Sequence, residues 1–202
     1  MGFGRIGGVF VVGGWVLFVV AGAIFAGGGA VRIGDGAIGG VALAASLALV
    51  GSGAAVLSIA GPRPLHGRAV RVGLGILAVG MLSSLASSAI AAGLAYDPLE
   101  DGPFVILFLV GGLATIIGSP VTVLSLVRAG GRPRAVGSLF LAGLLLVILG
   151  GFLGAGTNPN PDPLPVIGRA LAVLGALVIV LGGTGVGVLA INGSRSAPVA
   201  SR

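Results

Sequence analysis

The chain has 202 residues, of which 56% are hydrophobic and only 8% are charged, and its formal net charge is +6. An average globular domain has roughly 25% charged residues, so this chain has too few polar side chains to cover a water-facing surface. The composition excludes a soluble globular protein and predicts an integral membrane protein whose surroundings are the lipid bilayer. The basic residues form no continuous patch, which argues against nucleic acid as a partner. The absence of cysteine excludes disulfides and thiolate chemistry.

Six apolar segments are long enough to cross the hydrocarbon core as helices, which takes about 20 residues. In chain order they are Ile6–Gly27, Ala37–Ala60, Val72–Tyr96, Phe104–Val127, Val136–Gly156 and Val166–Ile191. They lack the period-two alternation of a transmembrane barrel, and helices satisfy their backbone groups internally. The first segment exceeds the apolar core of a signal peptide, about 7–15 residues, so we expect it to be retained. The predicted fold class is an all-α integral membrane protein, with one six-helix domain over residues 1–191 and a disordered tail over residues 192–202.

The arginines predict the orientation of these segments. Nine of the eleven lie on one side, before the first segment or after an even-numbered one: Arg5, Arg63, Arg68, Arg71, Arg128, Arg132, Arg134, Arg195 and Arg202. The positive-inside rule assigns that side, with both termini, to the cytoplasm. Arg32, Arg169 and all five acids (Asp35, Asp97, Glu100, Asp101 and Asp162) fall to the other side. The exclusive use of arginine is typical of a GC-rich genome, and the expected location is the plasma (inner) membrane of a prokaryote.

One nine-residue phrase occurs three times: GSGAAVLSI from Gly51, GSPVTVLSL from Gly118 and GTGVGVLAI from Gly183. Each copy closes an even-numbered segment on the arginine-rich side. The phrase predicts three tandem helical hairpins, over residues 4–60, 67–127 and 134–191, with approximate threefold pseudosymmetry. The alternative is chance, since Gly, Ala, Val and Leu dominate the chain.

Small residues in these segments are candidates for close helix packing. In lipid, helices associate through close backbone approach rather than through apolar burial. The candidates are the first two residues of each phrase, together with a glycine of the third segment: Gly51, Ser52, Gly118, Ser119, Gly183, Thr184 and Gly80.

A second set of residues could line a polar pathway. Small, weakly polar residues recur four apart along the third segment, and further hydroxyls and one charge lie in later segments. The candidates are Ser84, Ser88, Thr115, Ser119 and Arg169. Tight packing against a neighbouring helix is the favoured explanation of the hydroxyls. Arg169 lies only about 5 Å deep at 1.5 Å per residue, so its stem can reach the interface as an anchor, which is the favoured interpretation.

The sequence contains no recognisable catalytic, cofactor or metal site. His66 is the sole histidine, whereas a metal site usually needs three or four ligands. No carboxylate or histidine falls within the predicted spans to serve as a general acid or base. We expect no cofactor and a non-enzymatic accessory, assembly or structural component of a membrane complex, with a membrane-protein partner or a second copy of the chain as its binding partner. The alternative is a small permease or channel for a neutral or apolar solute.

Overall fold

The computed structural model describes residues 2–26, 32–33, 36–94, 102–154 and 164–193. The helices are α1 (Phe3–Ala26), α2 (Ile38–Ala60), α3 (Arg68–Leu94), α4 (Gly102–Ala129), α5 (Gly131–Gly154) and α6 (Leu164–Gly193). All six are long and apolar enough to cross a membrane. The predictions of an all-helical fold and of a multi-pass membrane protein are therefore confirmed.

Several helices begin before the predicted apolar segments at the arginine-rich end. Arg68 and Arg71 lie in the first turn of α3, and Arg132 and Arg134 lie in the first turn of α5. An apolar run excludes charged residues by definition, although arginine is a good helix former. Since only Gly130 separates α4 from α5, the chain reverses there with positive φ at Gly130 (75°) and Gly131 (56°), a conformation that glycine adopts without strain.

A short β-ribbon that the sequence analysis did not predict precedes α2. Strand β1 (Arg32–Ile33) pairs antiparallel with strand β2 (Gly36–Ala37), with Arg32 opposite Ala37. The intervening Gly34-Asp35 dipeptide is a hairpin signal. Strands of two residues, however, are too short to show the alternation on which a strand prediction depends.

The six helices close into a ring. Each helix contacts the next along the chain, and α6 also contacts α1. The broadest contacts join α1 to α2, α3 to α4, and α5 to α6. Large apolar side chains cover the outside of the ring, including Ile59, Ile116 and Phe152, which are 70–79% exposed. An exposed apolar surface of this extent suits lipid and not water.

Candidate functional site

Glycines of α1 lie against the backbone of α2. A Cβ atom on Gly7 would lie 3.1 Å from the carbonyl oxygen of Gly53, and one on Gly14 would lie 3.0 Å from that of Ser46. The two contacts are seven residues apart on each helix, which places them on one face two turns apart. Backbones approach this closely only where the facing residues are small.

The same arrangement joins α3 to α4. A Cβ on Gly80 would lie 2.9 Å from the oxygen of Gly111, and a Cβ on Gly118 would lie 3.1 Å from the oxygen of Gly73. Gly73 and Gly80 are again seven residues apart, as are Gly111 and Gly118. Close Cα–H···O contacts of this kind recur at helix interfaces.

The third pair, α5 and α6, repeats the pattern. A Cβ on Gly143 would lie 2.8 Å from the oxygen of Gly175, and one on Gly150 would lie 2.6 Å from that of Gly168. We call these contacts the paired-helix seams, formed by Gly7, Gly14, Ser46 and Gly53, by Gly73, Gly80, Gly111 and Gly118, and by Gly143, Gly150, Gly168 and Gly175. Each consecutive pair of helices is thus joined by two small-residue contacts at the same spacing.

The first glycines of the three recurrent phrases do not occupy equivalent positions. A Cβ on Gly51 would meet Leu82 of α3 at 3.0 Å, a Cβ on Gly118 would meet the backbone nitrogen of Leu77 of α3 at 2.6 Å, and a Cβ on Gly183 would overlap the indole ring of Trp15 of α1. Gly51 and Gly183 therefore face a helix outside their own pair, whereas Gly118 faces its own partner.

Pro120 accounts for this difference in α4. It stands where the other two phrases have Gly53 and Gly185, both of which face the partner helix of their pair. A proline ring would fill so close a contact. In α4, Pro120 is exposed and the seam is formed by Gly118 instead.

The hydroxyl residues that follow the first glycine of each recurrent phrase differ in burial. Ser52 and Thr184 are half-buried, whereas Ser119 is only 8% exposed and lines a central cavity between the helices. The glycine of the third segment, Gly80, lies in the seam between α3 and α4.

All six helices contribute to a small cavity inside the ring. Its volume is about 30 Å³. Its walls are formed by Val11, Trp15, Val50, Ala54, Leu74, Leu77, Ser119, Thr122, Val123, Leu126, Phe140, Gly183 and Val186. A cavity needs about 10–15 Å³ and several polar partners to hold one water molecule, so this space admits about two waters at most.

Trp15 is the largest side chain of the cavity wall. It is 7% exposed, and its ring meets those of Phe18 (5.7 Å between centroids) and Phe140 (6.2 Å) edge to face. Trp15 is not among the site residues predicted from the sequence. The feature that could have identified Trp15 is its position along the first predicted span. Tryptophan in membrane helices favours the interfaces, whereas Trp15 lies in the middle of α1.

The arginine-rich end of the ring is closed by the connection between α2 and α3. A 3₁₀ turn, Arg63–Leu65, contacts α6 on the other side of α1. Leu65 is fully buried and belongs to the same apolar core as Trp15. A side chain from the loop thus fills this end of the core.

Two polar side chains, Arg71 and His66, hold this closing loop. Arg71 donates from Nε to the carbonyl oxygen of Ser58 (2.6 Å) and from Nη2 to that of Ile59 (3.0 Å). These carbonyls belong to the last turn of α2, which has no intrahelical donors for them. His66 Nδ1 lies 3.0 Å from the carbonyl oxygen of Gly61. The only histidine is thus bound to its own loop.

The proposed pathway residues do not gather around one channel among the described residues. Thr115 donates from Oγ1 to Gly111 of its own helix at 2.9 Å. Ser84 lies at the α3–α4 interface, where its Oγ is 2.5 Å from the Cβ position of Gly111, and Ser119 lines the cavity. The side chains of Ser88 and Arg169 lie outside the described part of the structure.

Chemistry-bearing side chains are sparse in the described part of the chain. All five acids fall in the gaps between the described ranges, and within those ranges no three His, Cys, Asp or Glu residues group together as metal ligands. The described polar groups of the interior are hydroxyls such as Thr122, which donates to the carbonyl oxygen of Gly118 at 2.8 Å.

Comparison of the chain with protein-family models, with curated proteins and with solved structures finds no match in any of the three. The functional conclusion therefore rests on the geometry of the chain itself.

Proposed function

We propose that this chain is a non-enzymatic accessory or assembly component of a plasma-membrane complex, with its termini in the cytoplasm. The observation that carries this proposal is the centre of the ring. All six helices meet there around about 30 Å³ of space with mostly apolar walls, and Leu65 fills the core at one end. A protein built around such a core has little room for a solute and a large outer surface for other proteins.

The hydroxyl groups support the same proposal. A polar pathway needs groups that are free to exchange partners with a solute. Thr115, Thr122 and Ser125 instead donate to the carbonyl oxygens four residues earlier in their own helix. Ser84 and Thr115 lie beside seam glycines, so their small size serves close packing.

The proposed architecture behind this role is three tandem hairpins, α1–α2, α3–α4 and α5–α6, descended from one repeated unit. Support comes from the seams, because each pair uses two small-residue contacts seven residues apart on both helices. The threefold pseudosymmetry is approximate at best, since Gly118 contacts its own pair while Gly51 and Gly183 contact another.

A permease for a neutral or apolar solute is the competing function. The observation in its favour is that Ser119 and Thr122 both reach the central cavity. For transport, this cavity would have to open past Leu65 towards the arginine-rich end. The two functions thus differ in whether the centre of the ring is ever hydrated.

The deciding experiment is gentle extraction of the tagged full chain from its native membrane at native abundance, followed by mass and composition analysis. The accessory function predicts a reproducible stoichiometric protein partner. A lone chain or a homo-oligomer that conducts a neutral solute in proteoliposomes would contradict it. Replacing Ser119 with cysteine separates the two functions further, because a dry centre leaves the thiol unreactive towards water-soluble maleimide and a hydrated pathway exposes it.

A further inference from the structure

A groove opens between the start of α5 and the end of α6, on the arginine-rich side of the ring. Its volume is about 580 Å³, far larger than the central cavity. The lining residues are Arg132, Pro133, Ala135, Val136, Gly185, Val188, Leu189, Asn192 and Gly193. At Gly185 the two helices pack closely, since a Cβ there would lie only 2.9 Å from the side chain of Val136.

The groove is polar at one end and apolar along the rest of its length. Arg132 and Asn192 lie at its outer end, near the start of α5 and the end of α6, whereas Val136, Val188 and Gly185 line the part further along the two helices. The stretch of α6 from Gly193 to Gly185 corresponds to about 12 Å at 1.5 Å per residue. A cationic mouth followed by an apolar channel of this depth matches a molecule with an anionic head and an apolar chain.

The arginines at this end of the ring have no acidic side chain among the described residues to pair with. Arg63, Arg68, Arg128, Arg132 and Arg134 are all exposed there. No aspartate or glutamate occurs among the described residues, and the sequence places all five acids on the opposite side. Basic pockets between transmembrane helices are suited to lipid phosphate groups.

We propose that this α5–α6 groove binds one anionic phospholipid of the leaflet at the arginine-rich end. Arg132 contacts the headgroup phosphate, and the upper part of one acyl chain lies along Val136, Val188 and Leu189. The site thereby anchors the two helices that the α5–α6 seam already holds together.

The test uses the purified full chain in a neutral detergent, with bound lipids counted by native mass spectrometry. Phosphatidylglycerol is the anionic probe and phosphatidylcholine is the neutral one. We expect one phosphatidylglycerol to be retained in preference to phosphatidylcholine. Arg132→Gln should weaken this binding about fivefold, the effect of one basic group near a lipid surface. Equal retention of the two lipids would overturn the proposal.

Two matched controls distinguish lipid binding in the groove from general electrostatic attraction and from non-specific binding to the apolar surface. Arg134 is exposed in the same turn of α5 but does not line the groove, so Arg134→Gln should change binding by less than about twofold, the weak effect of an exposed charge screened by solvent. Ala135→Trp should block the groove. The same change at Ala142, which is exposed seven residues further along α5, should leave binding intact.

Further outcomes would each contradict the proposal. If Arg132→Gln and Arg134→Gln weaken binding equally, the lipid is held by general charge. If both tryptophan variants retain the lipid, the groove is not its site. Glycerol phosphate, which has the headgroup charge but no acyl chain, should not displace the lipid, and displacement at matched concentration would assign the site to a free phosphate compound.

Discussion

The indole ring of Trp15 on α1 occupies the space that a side chain on Gly183 of α6 would need. This relationship joins the first helix to the last and closes the ring. It also links the recurrent phrase to the central cavity, since both residues form part of its wall. The ring can close here because one residue of the phrase has no side chain.

We expect Gly183→Ala to destabilise the protein, because the new methyl group would collide with a ring that is itself held by Phe18 and Phe140. Overpacking a filled core costs about 1–3 kcal/mol. Thermal unfolding in detergent measures the loss. The double variant with Trp15→Leu should recover part of it, and a double variant no more stable than Gly183→Ala would contradict the assigned contact.

Gly118→Ala should cost more stability than Gly51→Ala. The Cβ on Gly118 would meet the backbone of Leu77 at 2.6 Å, whereas that on Gly51 would meet the Leu82 side chain at 3.0 Å. A side chain can rotate away, but a helix backbone must shift as a whole. Unfolding midpoints of the two variants in the same detergent give the comparison, and the reverse order would contradict the packing described here.

Two adjacent glycines of α4 offer a matched test of the paired-helix seam. A Cβ on Gly111 would lie 2.8 Å from the backbone nitrogen of Ser84, whereas no described atom lies within 4 Å of the Cβ position on Gly112. Gly111→Ala should therefore destabilise the protein, while Gly112→Ala should be neutral or slightly stabilising, because alanine is the better helix former by about 1 kcal/mol. Equal effects in a thermal unfolding series would show that helix propensity and not the seam is being measured.

Leu65→Ala should loosen the arginine-rich end of the ring. Leu65 is fully buried although it belongs to a loop, and truncating a buried leucine costs about 2–5 kcal/mol. The control is Ile59→Ala, six residues earlier and 75% exposed, for which we expect a change within about 0.5 kcal/mol. Denaturation followed by circular dichroism would measure both, and a Leu65 variant as stable as the control would remove the loop from the core.

Arg71→Gln should destabilise the α2–α3 connection by about 1–2 kcal/mol, because two carbonyls of the last turn of α2 lose a charged donor. Arg68 lies one turn earlier on the same helix and is exposed, so Arg68→Gln controls for the loss of charge. Proteolysis of the 61–67 loop in the folded protein should accelerate for the Arg71 variant and remain unchanged for the Arg68 variant. Equal cleavage rates would contradict the capping role.

Some of this architecture could be predicted from the sequence because it depends on composition. All six spans were predicted, since about 20 apolar residues in lipid have no stable alternative to a helix. The predicted starts of the third and fifth spans were too late, because the helices begin at Arg68 and Gly131 and include charged residues. It could also be predicted that small residues mediate the helix packing, because only small residues let helices approach closely in lipid.

The partners of those small residues could not be predicted. The three phrases suggested three equivalent glycines, yet Pro120 leaves Gly118 facing its own partner while Gly51 and Gly183 face another helix. Trp15 and Leu65, which shape the centre and its closed end, carry no sequence motif that marks them.

The sequence by itself determined that the chain is helical and lies in lipid, because both follow from the solvent that an apolar chain requires. The tertiary structure alone decided which helix each glycine contacts, that α6 returns to α1, and that the centre is nearly filled. Apolar side chains gain equally from contact with lipid or with each other, so their pattern along one helix does not specify its rotation. That rotation follows from steric fit between neighbouring helices, which exists only once all six are assembled.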